Sequence, residues 1–506
     1  MSLRTVLLGL LLGLSACLSA AAQEVYPLGD QRELFCDDTM VGVMTDCQIL
    51  VHQPVPQEVA ITCDQPWEGN GCGCWTILYD DQAKIYRAYA HAWAINNGVQ
   101  DGHRLVIVTY ESQDGIHWTR PNLGLHEWEG SNQNNIILYE TASHAEFTDL
   151  SPFIDTSPNA TPEARYKAVG FTVDMKGLFA YQSPDGIHWT PMSTEPVYTD
   201  GAFDTQNITF WSEKEQKYIL YYRVFSEGGY KGTRMIARAV SDDYLHWTNE
   251  GPIVFPEGEG PVPEAQYYTN GILPYYRAPN VYLGLPARYV DNGLLRASEY
   301  LPEWDRRRER MTQESRYGTA VTDSVYITSR DGMHFRRSNE AFLSPGLKTK
   351  DNWVYGDNYL AWTVIETDSL RDDCPRELSL YSTESYFTGT ITLLRRYTLR
   401  IDGFGSVHAK NTIGEMVTRP FTFTGKELSL NLSTAAAGFV KMEFLDEEGN
   451  PIPGFTLEEC DMFFGDTLDW RCSWNGSTDV SSLAGKTVSL RFVMREADLY
   501  SMKFEE

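Results

Sequence analysis

Four copies of one short pattern divide the chain into similar units. Each copy reads Ser, any residue, Asp, a turn residue, an apolar residue, His and an aromatic residue. The copies begin at Ser112, Ser183, Ser241 and Ser329. Self-similarity at intervals of tens of residues is typical of folds that repeat one supersecondary unit. Because the intervals are uneven, the pattern favours the four-stranded blades of a β-propeller over a tightly stacked solenoid.

The repeated pattern predicts a β-hairpin turn. Asp followed by Gly supplies a residue that tolerates a left-handed backbone, and Ser and Asp side chains hydrogen-bond to nearby backbone amides. Tyr244 replaces the glycine in the third copy. A pseudo-symmetric repeat does not carry four active sites, so we interpret the repeated histidines as structural. They are His117, His188, His246 and His334.

Composition limits the class of protein and its partners. A chain of 506 residues can hold two domains or three. Short runs of β-branched and aromatic residues, bounded by Gly, Pro, Asn and Asp, indicate an all-β fold. The formal net charge is −27. Nucleic acids are bound by clustered Lys and Arg, so this charge argues against a nucleic-acid partner.

The first 23 residues have the features of an export signal. Arg4 precedes an apolar run over residues 5–16, which is followed by small residues and is too short for a stable membrane span. We therefore expect a periplasmic or extracellular protein with no integral membrane segment after cleavage. Residues 14–17, Leu-Ser-Ala-Cys, also resemble a lipobox, which leaves open a lipid anchor at Cys17 and an outer-membrane lipoprotein.

Cysteine usage fits an exported chain. Eight cysteines remain besides Cys17, and an oxidising compartment favours disulfides. We predict that Cys460 pairs with Cys472, whereas the pairing of the early cysteines stays open. A zinc site at Cys72 and Cys74 would need two further ligands at a suitable sequence spacing, and none is found.

The pattern of predicted strands changes near residue 408. Four hairpin repeats and five polar or acidic segments, each followed by an apolar run, predict a five-bladed β-propeller over residues 30–407. Residues 408–506 predict a C-terminal β-sandwich. The predicted signal peptide over residues 1–23 is removed on export, so the propeller and the sandwich are the two structural domains of the mature chain.

Several stretches resemble a known group of proteins. Their sequences are Glu-Leu-Phe-Cys-Asp-Asp at 33–38, Pro-Trp-Glu-Gly at 66–69, Pro-Glu-Ala-Arg-Tyr-Lys at 162–167, Gly-Ala-Phe-Asp-Thr-Gln-Asn at 201–207, Tyr-Thr-Asn at 268–270 and Arg-Ala-Pro at 277–279. With the hairpin repeats, they are similar to exported bacterial glycoside hydrolases of the family 32-like and family 43-like type, and most of all to a group with a family 32 N-terminal-like domain. The resemblance covers nearly the whole mature chain. It implies a five-bladed propeller and glycosidase activity.

The sequence departs from family 32 at the motifs that carry its chemistry. Asn-Asp-Pro-Asn and Arg-Asp-Pro are absent, and the predicted propeller holds no Glu-Cys pair. Trp-Glu-Gly-Asn at 67–70 stands where the first motif is expected. The fold can transfer while the substrate choice of invertase-type enzymes does not, because fold does not imply function.

Acidic residues at the starts of the predicted blades are the catalytic candidates. Hydrolysis of a glycosidic bond needs one carboxylic acid to protonate the leaving oxygen and a second carboxylate to attack or to activate water. Innermost propeller strands converge on a central channel, where such acids would meet. The candidates are Glu68, Asp149, Asp204, Glu264 and Asp357. We favour Asp204, which directly precedes an apolar run; the alternative for each acid is a turn cap.

Sugar recognition needs aromatic platforms and planar hydrogen-bond donors. The candidates for substrate binding are Trp67, Tyr268, Asn270, Arg277, Arg288, Asn207, His144 and His91. The two histidines lie outside the repeated turn, and packing between blades is the alternative role of the aromatic residues and arginines. No metal ligand set and no organic cofactor are predicted, with a structural cation in the channel left open.

These observations predict a glycoside hydrolase that acts on a polysaccharide or oligosaccharide through paired carboxylates. A non-catalytic glycan-binding propeller is one alternative. A polysaccharide lyase is another, and it would need a Tyr or His base with an arginine or a metal that neutralises a uronate.

Overall fold

The structure is a computed structural model that describes residues 24–96, 99–100, 103–139, 147–172, 176–389 and 391–506. The predicted signal peptide, Cys17 and His144 lie outside these ranges. Within them the chain is nearly all-β, which confirms the all-β part of the predicted fold class. No helix in the described ranges has the length and apolar character of a membrane span.

The first strands of the chain pair with partners far away in sequence. They are β1 (Tyr26–Gly29), β2 (Glu33–Leu34), β3 (Val41–Thr45), β4 (Cys47–Val51) and β5 (Val55–Cys63). Sheet I follows and consists of β6 (Gly73–Asp80), β7 (Ile85–Ala92), β10 (Val106–Ser112), β11 (Trp118–Thr119) and β12 (Ile136–Tyr139). Between β7 and β10 in the chain, β8 (Ile95–Asn96) and β9 (Val99–Gln100) form a separate two-stranded ladder.

Sheets II and III are antiparallel, with four strands each in chain order. Sheet II contains β13 (Phe147–Ile154), β14 (Tyr166–Thr172), β15 (Leu178–Ser183) and β16 (Thr190–Pro191), with a 3₁₀ turn at Pro162–Ala164. Sheet III contains β17 (Ile208–Ser212), β18 (Lys217–Phe225), β19 (Arg234–Ser241) and β20 (Trp247–Pro252).

Sheet IV is divided into two parts. A three-stranded part contains β21 (Gln266–Tyr267), β24 (Ala287–Asp291) and β25 (Ala320–Ser324), and a four-stranded part contains β22 (Leu273–Tyr275), β23 (Ala278–Gly284), β26 (Ile327–Ser329) and β27 (Phe335–Arg337). A 3₁₀ turn (Arg296–Tyr300) and the helices α1 (Trp304–Met311) and α2 (Arg316–Thr319) connect β24 to β25.

Sheet V joins the two ends of this region. It contains β28 (Ile365–Thr367), β29 (Glu377–Glu384) and β30 (Thr392–Leu399), and its fourth strand is β5 from the N-terminal segment. One sheet therefore combines strands separated by more than three hundred residues of chain.

The last strands form a separate sheet with its own core. They are β31 (Gly405–Ala409), β32 (Gly414–Thr418), β34 (Glu427–Leu445), β35 (Asp466–Arg471) and β36 (Ser489–Glu505), with a 3₁₀ turn at Ser481–Leu483, whereas β33 (Phe421–Phe423) pairs in parallel with β1 in a ladder of its own. Strands β2, β3 and β4 pair with β36, β32 and β31. The domain limits stay a prediction, but by strand pairing the residues of β2 to β4 belong to this C-terminal sheet.

The four repeats form hairpin turns, as predicted. In each, the Asp side chain accepts a hydrogen bond from the amide of the histidine at 2.8 Å and contacts the Nδ1 atom of that histidine at 2.7 Å. The histidine side chains are 62–87% exposed. They hold the turns at the surface and do not line a site.

The turn residue of each repeat has a left-handed backbone, including Tyr244 at φ 72°. Tyr244 is fully buried, packs against Phe153 and Tyr218, and hydrogen-bonds to the Thr209 hydroxyl at 2.9 Å. Its own ring fills the space beside the third turn, and this packing is what offsets the strain of a non-glycine residue there.

In the other three repeats, a tyrosine from a neighbouring sheet contacts the glycine. The pairs are Tyr89 of sheet I with Gly186 of sheet II, Tyr221 of sheet III with Gly332 of sheet IV, and Tyr381 of sheet V with Gly115 of sheet I. The same contact runs from sheet I to II, from III to IV and from V back to I. Sheet V therefore lies beside sheet I.

The predicted disulfide between Cys460 and Cys472 is not formed, and all eight cysteines in the described ranges are free thiols. A β-bridge places Cys460 opposite Trp474 rather than opposite Cys472. The Cys460 thiol accepts a hydrogen bond from the Met442 amide at 3.3 Å, and the Cys472 thiol is directed to the Trp470 carbonyl at 3.8 Å. Strand register thus keeps the two sulfur atoms from pairing.

Candidate active site

One cavity of about 250 Å³ lies where the first strands of the sheets meet, and we call it the central cavity. It is lined by Cys74, His91, Trp93, Asp149, Asp204, Thr205, Tyr268, Arg316, Tyr317, Tyr355, Tyr359, Tyr386 and Phe387. These residues come from sheets I and II, from the segments before sheets III and V, from the loops that follow β7, β21 and β29, and from helix α2. No single stretch of sequence could form it.

Two matching β-bulges direct side chains into the central cavity. In sheet I, Cys74 and Trp75 together lie opposite a single residue of β7, and in sheet II, Asp149 and Leu150 lie opposite a single residue of β14. Cys74 has φ 49° and Asp149 has φ 53°, both left-handed. A bulge with its first residue left-handed bends the strand and re-aims a side chain. Both residues line the cavity through the same local device.

His91 links the two bulged strands. Its Nδ1 atom hydrogen-bonds to the Asp149 carboxylate, and both side chains are more than nine-tenths buried. The other ring nitrogen, Nε2, is buried with no hydrogen-bond partner in the described part of the chain. The Cys74 thiol lies in the same cluster, where burial and then the charge of Asp149 raise its pKa well above the usual range.

Asp204 is held in the cavity by the loop before sheet III. The fully buried Asn207 side chain donates to the Phe203 and Thr205 carbonyls, both at 2.8 Å, and so fixes the backbone on both sides of Asp204. The Thr205 hydroxyl donates to the Tyr268 carbonyl at 2.9 Å, which ties this loop to sheet IV.

The Asp204 carboxyl lies on the wall of the cavity, with 56% of its side chain accessible and the Arg223 guanidinium 3.6 Å away. Burial within the cavity and the negative charge of Asp149 raise its pKa, and Arg223 opposes this only in part. The two cavity carboxyls thus differ in environment: Asp149 is bonded to an imidazole, whereas burial shifts the pKa of Asp204 upwards.

Gln206 forms part of the structure beneath the cavity. Its side-chain amide donates to the Cys74 carbonyl at 3.3 Å, the Trp75 carbonyl at 3.1 Å and the Thr76 hydroxyl at 3.2 Å. A residue that precedes sheet III therefore supports the bulge of sheet I, and the position of Cys74 depends on both sheets.

Aromatic side chains make up most of the cavity wall. Tyr355 donates to the Tyr268 hydroxyl at 2.6 Å, and the rings of Tyr268 and Tyr359 stack with centroids 5.5 Å apart. Burial raises the pKa of the phenols of Tyr268, Tyr355, Tyr359 and Tyr386. These tyrosines are therefore neutral platforms and hydrogen-bond donors rather than bases.

Helix α2 contributes the cation that lines the cavity. The Arg316 guanidinium lies 5.1 Å from the centroid of the Tyr317 ring and 5.8 Å from that of Tyr355, and its Nε atom pairs with Glu314 at 2.7 Å. Stacking on aromatic rings holds the planar guanidinium in place. The insertion between β24 and β25 thus completes the wall near sheets IV and V.

The structure brings four of the predicted site residues into the cavity: Asp149, Asp204, His91 and Tyr268. Their roles stay predictions, but their convergence from separate sheets is the arrangement that the sequence argument required. Asn207 lies directly beneath, where it orders the loop of Asp204 instead of facing a ligand.

Glu68 does not reach the cavity. Its carboxylate is fully buried and bonds to Arg120 through both oxygens, at 2.7 Å and 3.0 Å, and to the Tyr110 hydroxyl at 2.5 Å. Every strong acceptor position on the carboxylate is occupied by these groups and by the Gln65 amide at 2.9 Å. Glu68 therefore serves as a structural ion pair that anchors the start of sheet I.

Asp357 and Glu264 also lie outside the cavity lining. Asp357, two residues after Tyr355, is buried, and one of its carboxyl oxygens has no partner in the described residues. Burial raises its pKa well above the usual range. Glu264 is exposed in the turn between Val262 and Ala265. At the positions where the sequence predicted Glu264 and Asp357, tyrosines line the cavity instead.

The remaining predicted binding residues have structural contacts. Trp67 donates to Asn135 at 2.8 Å, Asn270 donates to the Gln206 and Tyr221 carbonyls at 3.3 Å, Arg277 lies 3.6 Å from Asp402, and Arg288 pairs with Asp323. Each of these contacts fits a structural role. His144 lies outside the described residues.

Sequence reasoning missed several cavity residues. Cys74 was rejected because its partners were sought nearby in sequence, whereas they come from β7 and β13. Arg316 and Tyr317 lie in an insertion without repeat character. A usable signal did exist in the Tyr355 to Tyr359 segment, where aromatic residues alternate with Gly, Asp and Asn just before sheet V.

No protein-family profile matches this chain, and no curated protein does. Solved structures with a similar arrangement include an endo-arabinase from Bacteroides thetaiotaomicron, with 10% identity, TM-score 0.40 and coverage of 68% of this chain and 98% of that chain. A family 43 arabinoxylan arabinofuranohydrolase from Bacillus subtilis has 11% identity, TM-score 0.40 and coverage of 90% and 99%. A fructofuranosidase from Schwanniomyces occidentalis has 10% identity, TM-score 0.38 and coverage of 89% and 97%. At these scores the likeness fixes neither a family nor a substrate for this chain.

Proposed function

We propose that this chain is a glycoside hydrolase in which Asp204 is the general acid and Asp149 the second carboxylate. The observation that supports this most is that the two carboxyls come from separate sheets and line one aromatic cavity, where Asp149 is bonded to His91 and the pKa of Asp204 is raised. A protonated acid and an ionised carboxylate on either side of a glycosidic bond are what hydrolysis needs.

The proposed reaction transfers the Asp204 proton to the leaving oxygen as the glycosidic bond breaks. Asp149, oriented by His91, attacks the anomeric carbon or takes a proton from the attacking water. The raised pKa of Asp204 brings this carboxyl closer to neutral pH than a free aspartic acid, which favours proton donation. Stacked tyrosines and Trp93 provide faces for a sugar ring, and their hydroxyls provide donors.

We further propose that the five sheets are the blades of a five-bladed propeller and that export follows from the predicted signal. Two observations support a closed ring of blades. A tyrosine of sheet V contacts the turn of sheet I, and β5 from the N-terminal segment is the fourth strand of sheet V. A cavity of about 250 Å³ is smaller than the usual range of ligand pockets, so it suits one sugar unit and removal of terminal residues.

A lyase with a histidine base would release unsaturated product, which the experiment below detects. A lyase with a tyrosine base is opposed by the raised phenol pKa values, because that tyrosine would have to lose its proton. The cavity phenols are instead held neutral by burial. The glycan-binding alternative predicts retention of ligand without any product, and the experiment below distinguishes it.

Product release from a panel of glycosides and polysaccharides tests the proposal. The wild type is compared with Asp204→Asn and Asp149→Asn, and with Asp242→Asn as a control, since Asp242 is an exposed acid paired with Lys217. We expect reducing sugar without unsaturated product, a loss of about 10²-fold or more in the two cavity variants, and an unchanged control. Unsaturated product, or binding without cleavage across the panel, would overturn the proposal.

A further inference from the structure

We propose that Cys74, His91 and Asp149 form a Zn²⁺ site that opens onto the central cavity. One ligand atom from each residue lies within 4.8 Å of the others, so that a single ion can reach all three. The residues come from the bulge of β6, the end of β7 and the bulge of β13. The site therefore exists only when sheets I and II are assembled side by side.

The donor set selects the metal. A thiolate, an imidazole and a carboxylate are zinc ligands, whereas Ca²⁺ and Mg²⁺ require oxygen donors. Binding would replace the thiol proton of Cys74, which passes to solvent, and no redox change is involved. A calcium-type channel ion does not fit a sulfur ligand.

The surroundings of His91 are built around its ring. Gly73 lies opposite His91 in the ladder, and a Cβ atom at that position would lie 2.9 Å from the His91 Nε2 atom. Only glycine leaves room for the imidazole there. The ring is more than nine-tenths buried, and its Nε2 has no protein partner among the described residues. An ion shared with Asp149 takes the Nδ1 atom, which faces that carboxylate, in place of the hydrogen bond between the two side chains.

The cavity provides the open position. Three protein ligands with one face towards a cavity are typical of catalytic zinc sites, in which water or substrate takes the fourth position. With the ion bound, Asp149 is a ligand, so its proposed role as the second carboxylate belongs to the metal-free chain. Asp204 lines the same cavity, so a water or sugar hydroxyl on the ion would face the proposed acid. This last consequence rests on the proposed function, whereas binding of the ion does not.

Metal content and spectroscopy test the site without reference to activity. Purified chain is loaded with Zn²⁺, desalted and analysed for metal, and a parallel sample is loaded with Co²⁺, whose bond to a thiolate gives a charge-transfer band in the near ultraviolet. The variants are Cys74→Ser, His91→Gln and Asp149→Asn. Cys374→Ser is the matched control, because Cys374 is an exposed thiol outside the cavity.

We expect one zinc per chain and a thiolate band in the wild type and in Cys374→Ser. Loss of an outer partner weakens zinc sites by about 10–100-fold, so loss of a ligand should weaken binding by more than that in each cavity variant. If Cys74→Ser fails to fold, Asp149→Asn with the thiol intact provides the comparison. No zinc in the wild type, or equal zinc and an unchanged band in the variants, would overturn the site. Zinc bound by a chain that cleaves no glycan would refute the proposed function and leave the site standing.

Discussion

Replacing Gly186 with alanine tests how neighbouring sheets fit together. Gly186 has φ 75°, and a Cβ atom there would lie 2.5 Å from the Tyr89 Oη atom and 3.0 Å from the Tyr166 ring. The left-handed backbone costs a residue with a Cβ about 1–2 kcal/mol, and forcing an atom into packed space costs about 1–3 kcal/mol more. We expect Gly186→Ala to lower the free energy of unfolding by about 2–5 kcal/mol.

The control for backbone strain is Gly130→Ala. Gly130 has φ 87°, and no atom lies within 4 Å of the added Cβ. That variant should lose only the backbone contribution of about 1–2 kcal/mol. The contribution from packing is then the difference between the two variants, measured as denaturant midpoints and slopes followed by intrinsic fluorescence.

A second substitution identifies the neighbouring atom. The Tyr89 hydroxyl is buried without a hydrogen-bond partner in the described residues, so Tyr89→Phe should itself cost little. In Gly186→Ala it removes the closest contact and should recover part of the lost stability. Equal losses in Gly186→Ala and Gly130→Ala, or no recovery with Tyr89→Phe, would refute the packing of sheet I against the turn of sheet II.

Three further perturbations separate structural roles from catalytic ones. Glu68→Gln should lower the free energy of unfolding by about 3 kcal/mol, because it leaves Arg120 without its buried partner, but should leave kcat unchanged; a large fall in kcat with normal stability would contradict this. Asn207→Ala and the control Asn134→Ala, another buried asparagine that donates to carbonyls of its own loop, should each cost about 2–4 kcal/mol by chemical denaturation, and only Asn207→Ala should reduce kcat, by about 10²-fold. The third perturbation concerns Asp185. Partial burial raises the pKa of its carboxyl, but hydrogen bonds from the amides of His188 and Ile187 and from the His188 ring outweigh this effect and lower the pKa to about 2. The Asp185 carboxylate, 44% exposed, contributes about 1 kcal/mol to the free energy of unfolding. This contribution is complete above about pH 5 and is lost as pH falls towards 2. Asp185→Asn should therefore flatten the dependence of stability on pH in that range, and an unchanged slope would argue against the hydrogen bonds.

The sequence was most informative where local chemistry decides the structure. The Ser-x-Asp turns depend on side chains within three residues of one another, so their geometry and the surface role of their histidines could be inferred directly. Tyr244 shows the limit of this reasoning. Its tolerance of a left-handed backbone depends on packing against Phe153 and Tyr218, which no local pattern reveals.

The candidate site was only partly predictable, because its residues meet through sheet packing. Asp204 and Asp149 could be chosen as acids near the starts of strands, but the same reasoning chose Glu68. Nothing local distinguishes Glu68 from them; its partner Arg120 lies more than fifty residues away. Cys74 was missed for the complementary reason, since β-bulges and their left-handed residues depend on strand register rather than on composition.

The most direct measurement of the central claim compares leaving groups. Once a cleaved glycoside is known, kcat/KM of the wild type and of Asp204→Asn is measured on that glycoside and on an aryl glycoside of the same sugar with an acidic phenol. A good leaving group needs no proton. If Asp204 is the general acid, the variant should lose about 10²-fold or more on the natural glycoside and much less on the aryl glycoside. Equal losses on both substrates would contradict that role and, with it, the proposed division of labour between Asp204 and Asp149.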